Sequence, residues 1–263
     1  MLVDTVPAFG QYASVVQATS GLLGYWRFDA ASQANSLVNG YTGSLVGGAQ
    51  IGGAGTGPTL ASDPGNTPLV LDGSGSYVTT SLTGGIGSSG SVIAWVNLAV
   101  QPGTAGHIFQ ITGQSQVGND FDLQIETDNS TRFFTDSGSA TSYSIALPLN
   151  TWVFIAATFT AGGARDIFVN GSSVATSTAG GHSTNTNPLY IGNNLVFGPR
   201  YFDGSIDEVA IFSRALSASE VANLYAAASA IPEPVTGALT GGTLALLVAL
   251  LARNRKRDAD ART

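Results

Sequence analysis

Four acidic side chains fall close together at Asp120, Asp122, Glu126 and Asp128. Carboxylates so spaced can pair as general acid and base, hold an oxygen-seeking cation, or simply face water. Asp120, Asp122, Gln124 and Glu126 alternate with Phe121, Leu123 and Ile125, so the segment reads as a strand with one buried and one wet face. On this reading the acids form a solvated strand face. A second acidic pair, Asp207-Glu208, interrupts the apolar run Ile206–Phe212. Asp207 shares strand parity with Val209 and Ile211, and Glu208 with Ile206, Ala210 and Phe212. Whichever face is core, a carboxylate lies on or near it and needs a partner. His107 and His182 have no ligand-spaced neighbours, which supports neither a zinc site nor a nucleophile–base pair. They read as scattered surface histidines. Cysteine is absent, which excludes disulfides and thiolate metal sites.

Strands must position these groups. Asn150–Ser177 reads as three of them: Trp152–Phe159, Arg165–Val169 and Ser172–Thr176, broken by Ala161-Gly162-Gly163 and by Asn170-Gly171. Asn-Gly between apolar runs predicts a hairpin, because both residues tolerate the positive φ of a type I′ turn. Further strands are predicted at Leu22–Asp29, Leu69–Asp72, Tyr77–Thr80, Ser91–Leu98, His107–Thr112, Asp120–Thr127, Arg132–Thr135, Leu189–Gly192 and Tyr201–Phe212. Tyr12–Ala18 suits a short helix. Ser217-Ala-Ser-Glu220 is a capping box opening a second, whose Val221, Leu224, Tyr225 and Ala228 form one apolar face. The chain's 34 glycines suit many tight turns. Residues 1–230 carry 5 Arg, no Lys and 14 Asp/Glu, a net −9, which argues against nucleic acid or anionic lipid as partner.

Several of these segments resemble laminin-G-like jelly rolls of the concanavalin A-like lectin/glucanase superfamily. The residues are LLGYWRFD at Leu22–Asp29, Asn39-Gly40-Tyr41-Thr42-Gly43, the Asp72–Tyr77 hairpin, SVIAWVNL at Ser91–Leu98, the central Trp152–Gly171 stretch, and above all YFDGSIDEVAIF with SRALS at Tyr201–Ser217. The resemblance implies an all-β, two-sheet antiparallel jelly-roll sandwich over residues 12–228, with a short C-terminal helix. Trp95, Trp152, Phe154, Ile167, Val169, Val209 and Ile211 are expected in its core. The superfamily's glucanases use an E-x-D-x-x-E strand that sets two carboxyls about 5 Å apart. The E-x-D here, Glu126-Thr127-Asp128, is followed by Thr131 at the last position, so no glycosidase is expected. Relatives often hold a structural Ca²⁺ between first and last strands. Asp207 matches the last-strand ligand and Asp29 is its guessed companion; otherwise Asp207 caps backbone N–H groups or pairs with Arg214 or Arg27.

Beyond the domain the pattern changes. Residues 1–11 read as a leader or disordered segment, 229–234 as a linker, 235–252 as a transmembrane helix and 253–263 as a basic cytoplasmic tail. Pro234–Ala252 carries no charge over 19 residues, roughly 28 Å as a helix, about one bilayer core. Arg253, Arg255, Lys256 and Arg257 follow and favour a cytoplasmic end. Pro232-Glu233-Pro234, an apolar helix and a basic stop in that order resemble the PEP-CTERM sorting signal of Gram-negative bacteria, which implies processing by an exosortase-type enzyme. Because the first positive charge is Arg27, Met1–Ser20 does not read as an export signal, and one is expected upstream. Together these features imply a bacterial envelope protein whose domain lies outside the cytoplasm. Its expected role is a binding module for glycan or extracellular matrix polysaccharide; the alternative is a structural spacer without a ligand.

Overall fold

The computed structural model describes residues 11–229 apart from 30–32, 54, 61–62, 64, 116–119, 136–139, 179–181, 183, 185 and 199. The chain divides into two units, 1–230 and 231–263. The second unit holds Pro232, Glu233, Pro234, the expected span and Arg253–Arg257, and lies outside the described residues, as do residues 1–10 of the expected leader. Among the described residues no helix is long and apolar enough to cross a membrane.

Helix α1 (Gln11–Ala18) leads into β1 (Leu22–Trp26), β2 (Gly43–Val46), β3 (Gln50–Ile51), β4 (Leu69–Asp72), β5 (Tyr77–Thr83) and β6 (Gly90–Leu98). After a single turn, α2 (Pro102–Ala105), come β7 (Phe109–Gly113), β8 (Asp122–Ile125), β9 (Thr131–Phe134) and β10 (Ala140–Tyr143). The chain closes with β11 (Val153–Phe159), β12 (Ala164–Val169), β13 (Ser172–Thr178), β14 (Pro188–Ile191), β15 (Asp203–Phe212) and helix α3 (Ala218–Ser229). Two antiparallel sheets result. One runs β13-β12-β11-β6-β15-β4-β3, with β1 also paired to β15; the other runs β10-β9-β8-β7-β14-β5-β2. This is the expected jelly-roll sandwich. Its hairpin turn also forms as read, since Asn170 and Gly171 both have positive φ, 48° and 78°.

The two sheets differ in how many faces they bury. Val92, Ala94, Val96 and Leu98 of β6 point into the core between the sheets, together with Phe109, Phe121, Leu123, Phe133 and Ile155. The opposite face of the same sheet carries Ile93, Trp95, Phe154, Phe168 and Phe212, which pack against Tyr12 and Val16 of α1 and Val221 and Leu224 of α3. Buried on both sides, β6, β11 and the end of β15 are near-continuous apolar runs. The other sheet keeps one face for the inter-sheet core and leaves its second face to polar side chains.

Most expected core residues are where the pattern places them, with Val169 only partly buried. Trp152 is a correction. It precedes β11 instead of lying within it, sits half-buried at the margin of the helix-side cluster, and donates its indole N–H to the Thr56 carbonyl at 3.0 Å. The expected first strand is also shortened. It stops at Trp26, and Phe28 takes a left-handed φ of 56°, so Arg27 and Asp29 lie beyond the ladder. The capping box of α3 forms in both directions: the Glu220 N–H donates to Ser217 Oγ at 3.3 Å, and the Ser217 N–H to Glu220 Oε2 at 2.8 Å.

Candidate functional site

Strand β15 changes partner along its length. Asp203–Ile206 pair with β4 and Val209–Phe212 with β1, and the register slips between Asp207 and Ala210. Glu208 sits in the slip with φ 52°. This bulge breaks the parity expected from sequence. Ile206, Val209 and Ile211 all face the inter-sheet core, while Ala210 and Phe212 face the helices. Both carboxylates are consequently fully buried. Arg27 neutralises one of them. Its Nε donates to Glu208 at 3.0 Å, its Nη1 lies 3.1 Å from Asp29, and its Nη2 meets Asp63; Tyr25 donates its hydroxyl to Glu208. Asp207 instead accepts the Glu208 N–H and the Asn66 amide, each at 2.8 Å. Burial pushes both carboxyl pKa values up, and Arg27 pulls against it at Glu208.

The two expected calcium ligands are therefore placed differently. Asp29 is engaged by Arg27, so the cation serving it is a guanidinium. The point where a Cβ on Gly57 would lie is nearest to Asn66 Nδ2, at 2.7 Å, with the Asn66 carbonyl oxygen at 2.9 Å and the Asp207 carboxylate at 3.0 Å. The amide that Asp207 accepts thus stands where a cation would have to approach. Among the described residues no group of three or more Asp, Glu or His side chains encloses a metal. Arg214, the other suggested partner of Asp207, bonds Glu220 at 2.5 Å. A cleft of about 480 Å³ opens beside Asp63 and Asn66, but the rest of its wall is Thr56–Leu60. These small and apolar residues carry little chemistry.

The smaller cleft on the free sheet face is richer. About 200 Å³ in volume, it is lined by Asp120, Asp122, Gln124 and Glu126 from β8 and its flanks, Phe134 from β9, and Phe197 and Arg200 from the loop after β14. The expected solvated strand face is a correction here: Asp120, Asp122 and Gln124 are 4%, 2% and 1% exposed. The loop covers them. Asn194 Nδ2 donates to Asp122 Oδ2 at 2.8 Å and to Ser115 Oγ at 2.6 Å, and Ser115 Oγ donates to the same carboxylate oxygen at 2.6 Å. Arg200 closes the loop. Its N–H donates to Asn193 Oδ1 at 3.1 Å, its carbonyl accepts the Gln110 N–H at 2.9 Å, and its Nη1 donates to Gln124 Oε1 at 2.5 Å. The guanidinium lies 5.1 Å from the ring centre of Phe197, itself 41% exposed.

Electrostatics follow from this burial. Asp122 is pushed up to about 7, chiefly by desolvation and further by Asp120, while Ser115 and Arg200 pull it down. The Gln114 N–H also lowers it, and Oδ1 lies buried over Gly113 of β7. Asp128 differs: it lies in the turn before β9, bonded to Ser130 and to Arg132, and its pKa is lowered by the Ser130 hydroxyl. The strand segment thus splits into a covered part and a solvated end. His182 is a further correction. It is buried against Phe121 and Phe159, with Nδ1 2.8 Å from the Gly87 carbonyl, and burial lowers its pKa. Of the tyrosines that could offer a sugar platform, Tyr190 and Tyr201 meet through Tyr77, while Tyr41 and Tyr143 pack on the core; all are half-buried.

Comparison with known proteins agrees with this architecture. The Laminin_G_3 profile, described as concanavalin A-like lectin/glucanases superfamily, matches residues 72–222, more than half of the chain. The chain belongs to that family. A comparison with curated protein sequences returns no match. Among solved structures, this Laminin_G_3 chain is similar to domain 4 of AbnA, an extracellular arabinanase from Geobacillus stearothermophilus in complex with arabinotriose. That pair shares 22% identity and a TM-score of 0.59, over 78% of this chain and 98% of that one. The receptor binding domain of botulinum neurotoxin C/D mosaic serotype matches at 16% identity and TM-score 0.59, over 78% and 51%. Trypanosoma rangeli sialidase with the inhibitor DANA matches at 15% and 0.58, over 79% and 33%. The chain thus spans about half of the toxin domain and a third of the sialidase. These likenesses establish the fold, which enzymes and binding domains share.

Proposed function

We propose that this domain is a carbohydrate-binding module, with the cleft on its free sheet face as the ligand site. One observation carries the reading: a cleft on the polar sheet face sets Asp120, Asp122, Glu126 and Arg200 beside the rings of Phe134 and Phe197. Carboxylates accept and a guanidinium donates the hydrogen bonds that sugar hydroxyls need, and aromatic walls suit the apolar face of a sugar ring. The arabinotriose bound to the arabinanase domain supports the same class of ligand. Binding is favoured over hydrolysis. Gln124, an amide that cannot transfer a proton, stands between Asp122 and Glu126, and Asp122 Oδ2 is occupied by Ser115 and Asn194. Residues 231–263 supply the location: Pro232-Glu233-Pro234 for an exosortase-type enzyme, an apolar span, and a basic cytoplasmic stop, which together hold the domain at the cell envelope.

A glycan array probed with the protein tests the ligand reading. Binding is expected to at least one saccharide class and to fall at least tenfold in Asp122→Asn and in Phe197→Ala. An empty array, or binding that survives both substitutions, overturns it. For location, changing Pro232-Glu233-Pro234 to alanines is expected to leave an unprocessed membrane species. Unaltered processing would remove the sorting enzyme from the account.

A further inference from the structure

The polar sheet face carries a second aromatic group outside the cleft. Tyr77 of β5 meets Tyr190 of β14 edge to face, with ring centres 6.1 Å apart, and stacks on Tyr201 at 6.5 Å and 25°. Tyr190 alternates with Leu189 and Ile191, and Tyr77 precedes Val78, all three of them core residues, so both rings stand on the outer face. Register puts them on the same face as the cleft: Tyr190 pairs with Gly113 of β7, Gly113 with Asp122 of β8, and Asp122 with Phe134 of β9. The three tyrosines are half-buried, yet their hydroxyls reach the surface and bond nothing among the described residues. Thr79 and Ser81 share that face of β5, which therefore presents rings and hydroxyls without charge.

The loop Asn193–Arg200 joins this group to the cleft. It starts just after Tyr190 and β14 and ends at Tyr201, while its Asn194 and Arg200 reach Asp122 and Gln124 and its Phe197 lines the cleft. Aromatic rings thus stand on β9, on the loop, and on β14 and β5. From β9 the sheet order runs through β8 and β7 to β14 and then β5, a reach of about 14 Å to β14 and about 19 Å to β5. A cleft of about 200 Å³ has room for little more than one sugar. A hexose in an extended glycan advances about one strand spacing, so about four units reach from Phe134 to the tyrosines. A tyrosine hydroxyl both donates and accepts, which matches sugar hydroxyls, and its ring matches the apolar C–H face of the same sugar.

Resting on the carbohydrate reading above, we propose that Tyr77, Tyr190 and Tyr201 form a second subsite for the same ligand, which is an extended glycan of about four or more units with an uncharged sugar at the tyrosines. The cleft alone would select a single sugar; the two stations together select a chain. Each contributes only when the ligand is long enough to span the loop.

Calorimetric titration of the full chain with linear arabino-, cello- and malto-oligosaccharides of two to six units tests this. In at least one series affinity is expected to rise at least tenfold between two units and five. Tyr77→Ala and Tyr190→Ala should each remove most of that rise, so that their effect grows with ligand length, whereas Phe197→Ala should weaken every length. Tyr190→Phe, which keeps the ring, should retain most of the rise and separates lost stacking from lost folding. Affinity that does not rise with length overturns the second subsite and leaves the carbohydrate reading standing. So does a rise that survives both alanine substitutions. If no series binds, the second subsite falls; a blank glycan array as well is what removes the carbohydrate reading.

Discussion

Replacing Asp122 by Asn should make stability, relative to the parent protein, rise with pH. Asp122 titrates near 7 in the folded protein against an ordinary value of 3.8. Between those values the folded state binds a proton that the unfolded state has lost, so stability falls as pH rises through that window. The loss is complete above about pH 7. A shift of about 3 units corresponds to about 4 kcal/mol. Asparagine removes this cost while its carbonyl still accepts from Ser115 and Asn194. Its amide nitrogen would take the place of Oδ1, and each unmet N–H donor there costs about 1–3 kcal/mol at any pH. Relative to the parent, the variant is therefore expected to gain about 4 kcal/mol of stability between pH 4 and pH 8. At pH 4, where the parent no longer carries the charge, it should be the less stable of the two. Urea unfolding at several pH values, read as the difference between the two proteins, cancels the titration of Asp207 and Glu208. A difference that does not vary with pH would refute a buried, proton-holding Asp122.

Other outcomes follow from the same geometry. Arg27→Met leaves Glu208 buried without its cation and should cost about 3–5 kcal/mol in urea unfolding; a loss below 1 kcal/mol would mean that Tyr25 alone satisfies the carboxylate. Gly171→Ala forces a Cβ into φ 78° and within 3.0 Å of Tyr225. It should cost at least about 1–2 kcal/mol, and an unchanged melting temperature would argue against the type I′ turn. Asp207 is satisfied by Asn66 and the Glu208 N–H, so millimolar Ca²⁺ should leave the melting temperature unchanged; a rise that Asp207→Asn removes would assign the carboxylate to an ion.

The strands were legible because their side chains report on the faces they bury. β6 and β11 read as apolar runs since helices cover one side of their sheet and the second sheet covers the other. Asn170-Gly171 and the Ser217–Glu220 box were legible because each signal is complete within a few residues. β2, β3 and β10 escaped notice. They are two to four residues long at the margins of the sheets, where little apolar area marks them. The parity of β15 failed for a different reason: one extra residue at Glu208 reverses the alternation, and nothing local announces it.

The cleft shows what alternation alone leaves open. From Asp120 to Glu126 the sequence distinguishes an apolar face from a polar face, and the structure agrees on which residues belong to each. A polar face, however, can be wet or covered, and strand periodicity is identical in both cases. What covers this one is Asn193–Arg200, about 70 residues further along the chain, which reaches β8 only because β14 lies beside β7 in the same sheet. The covering loop changes the chemistry more than the carboxylates do. It withdraws Asp122 from water, occupies one oxygen with Asn194, and brings Arg200 and Phe197 to the rim. Shortening that loop from Leu195 to Phe197 should thus return Asp122 toward an ordinary carboxylate pKa, measurable by NMR titration of its side-chain carboxyl, and should cost ligand affinity with little loss of fold stability. A pKa that stays near 7 after the loop is shortened would place the cause in the sheet itself and take the loop out of the site.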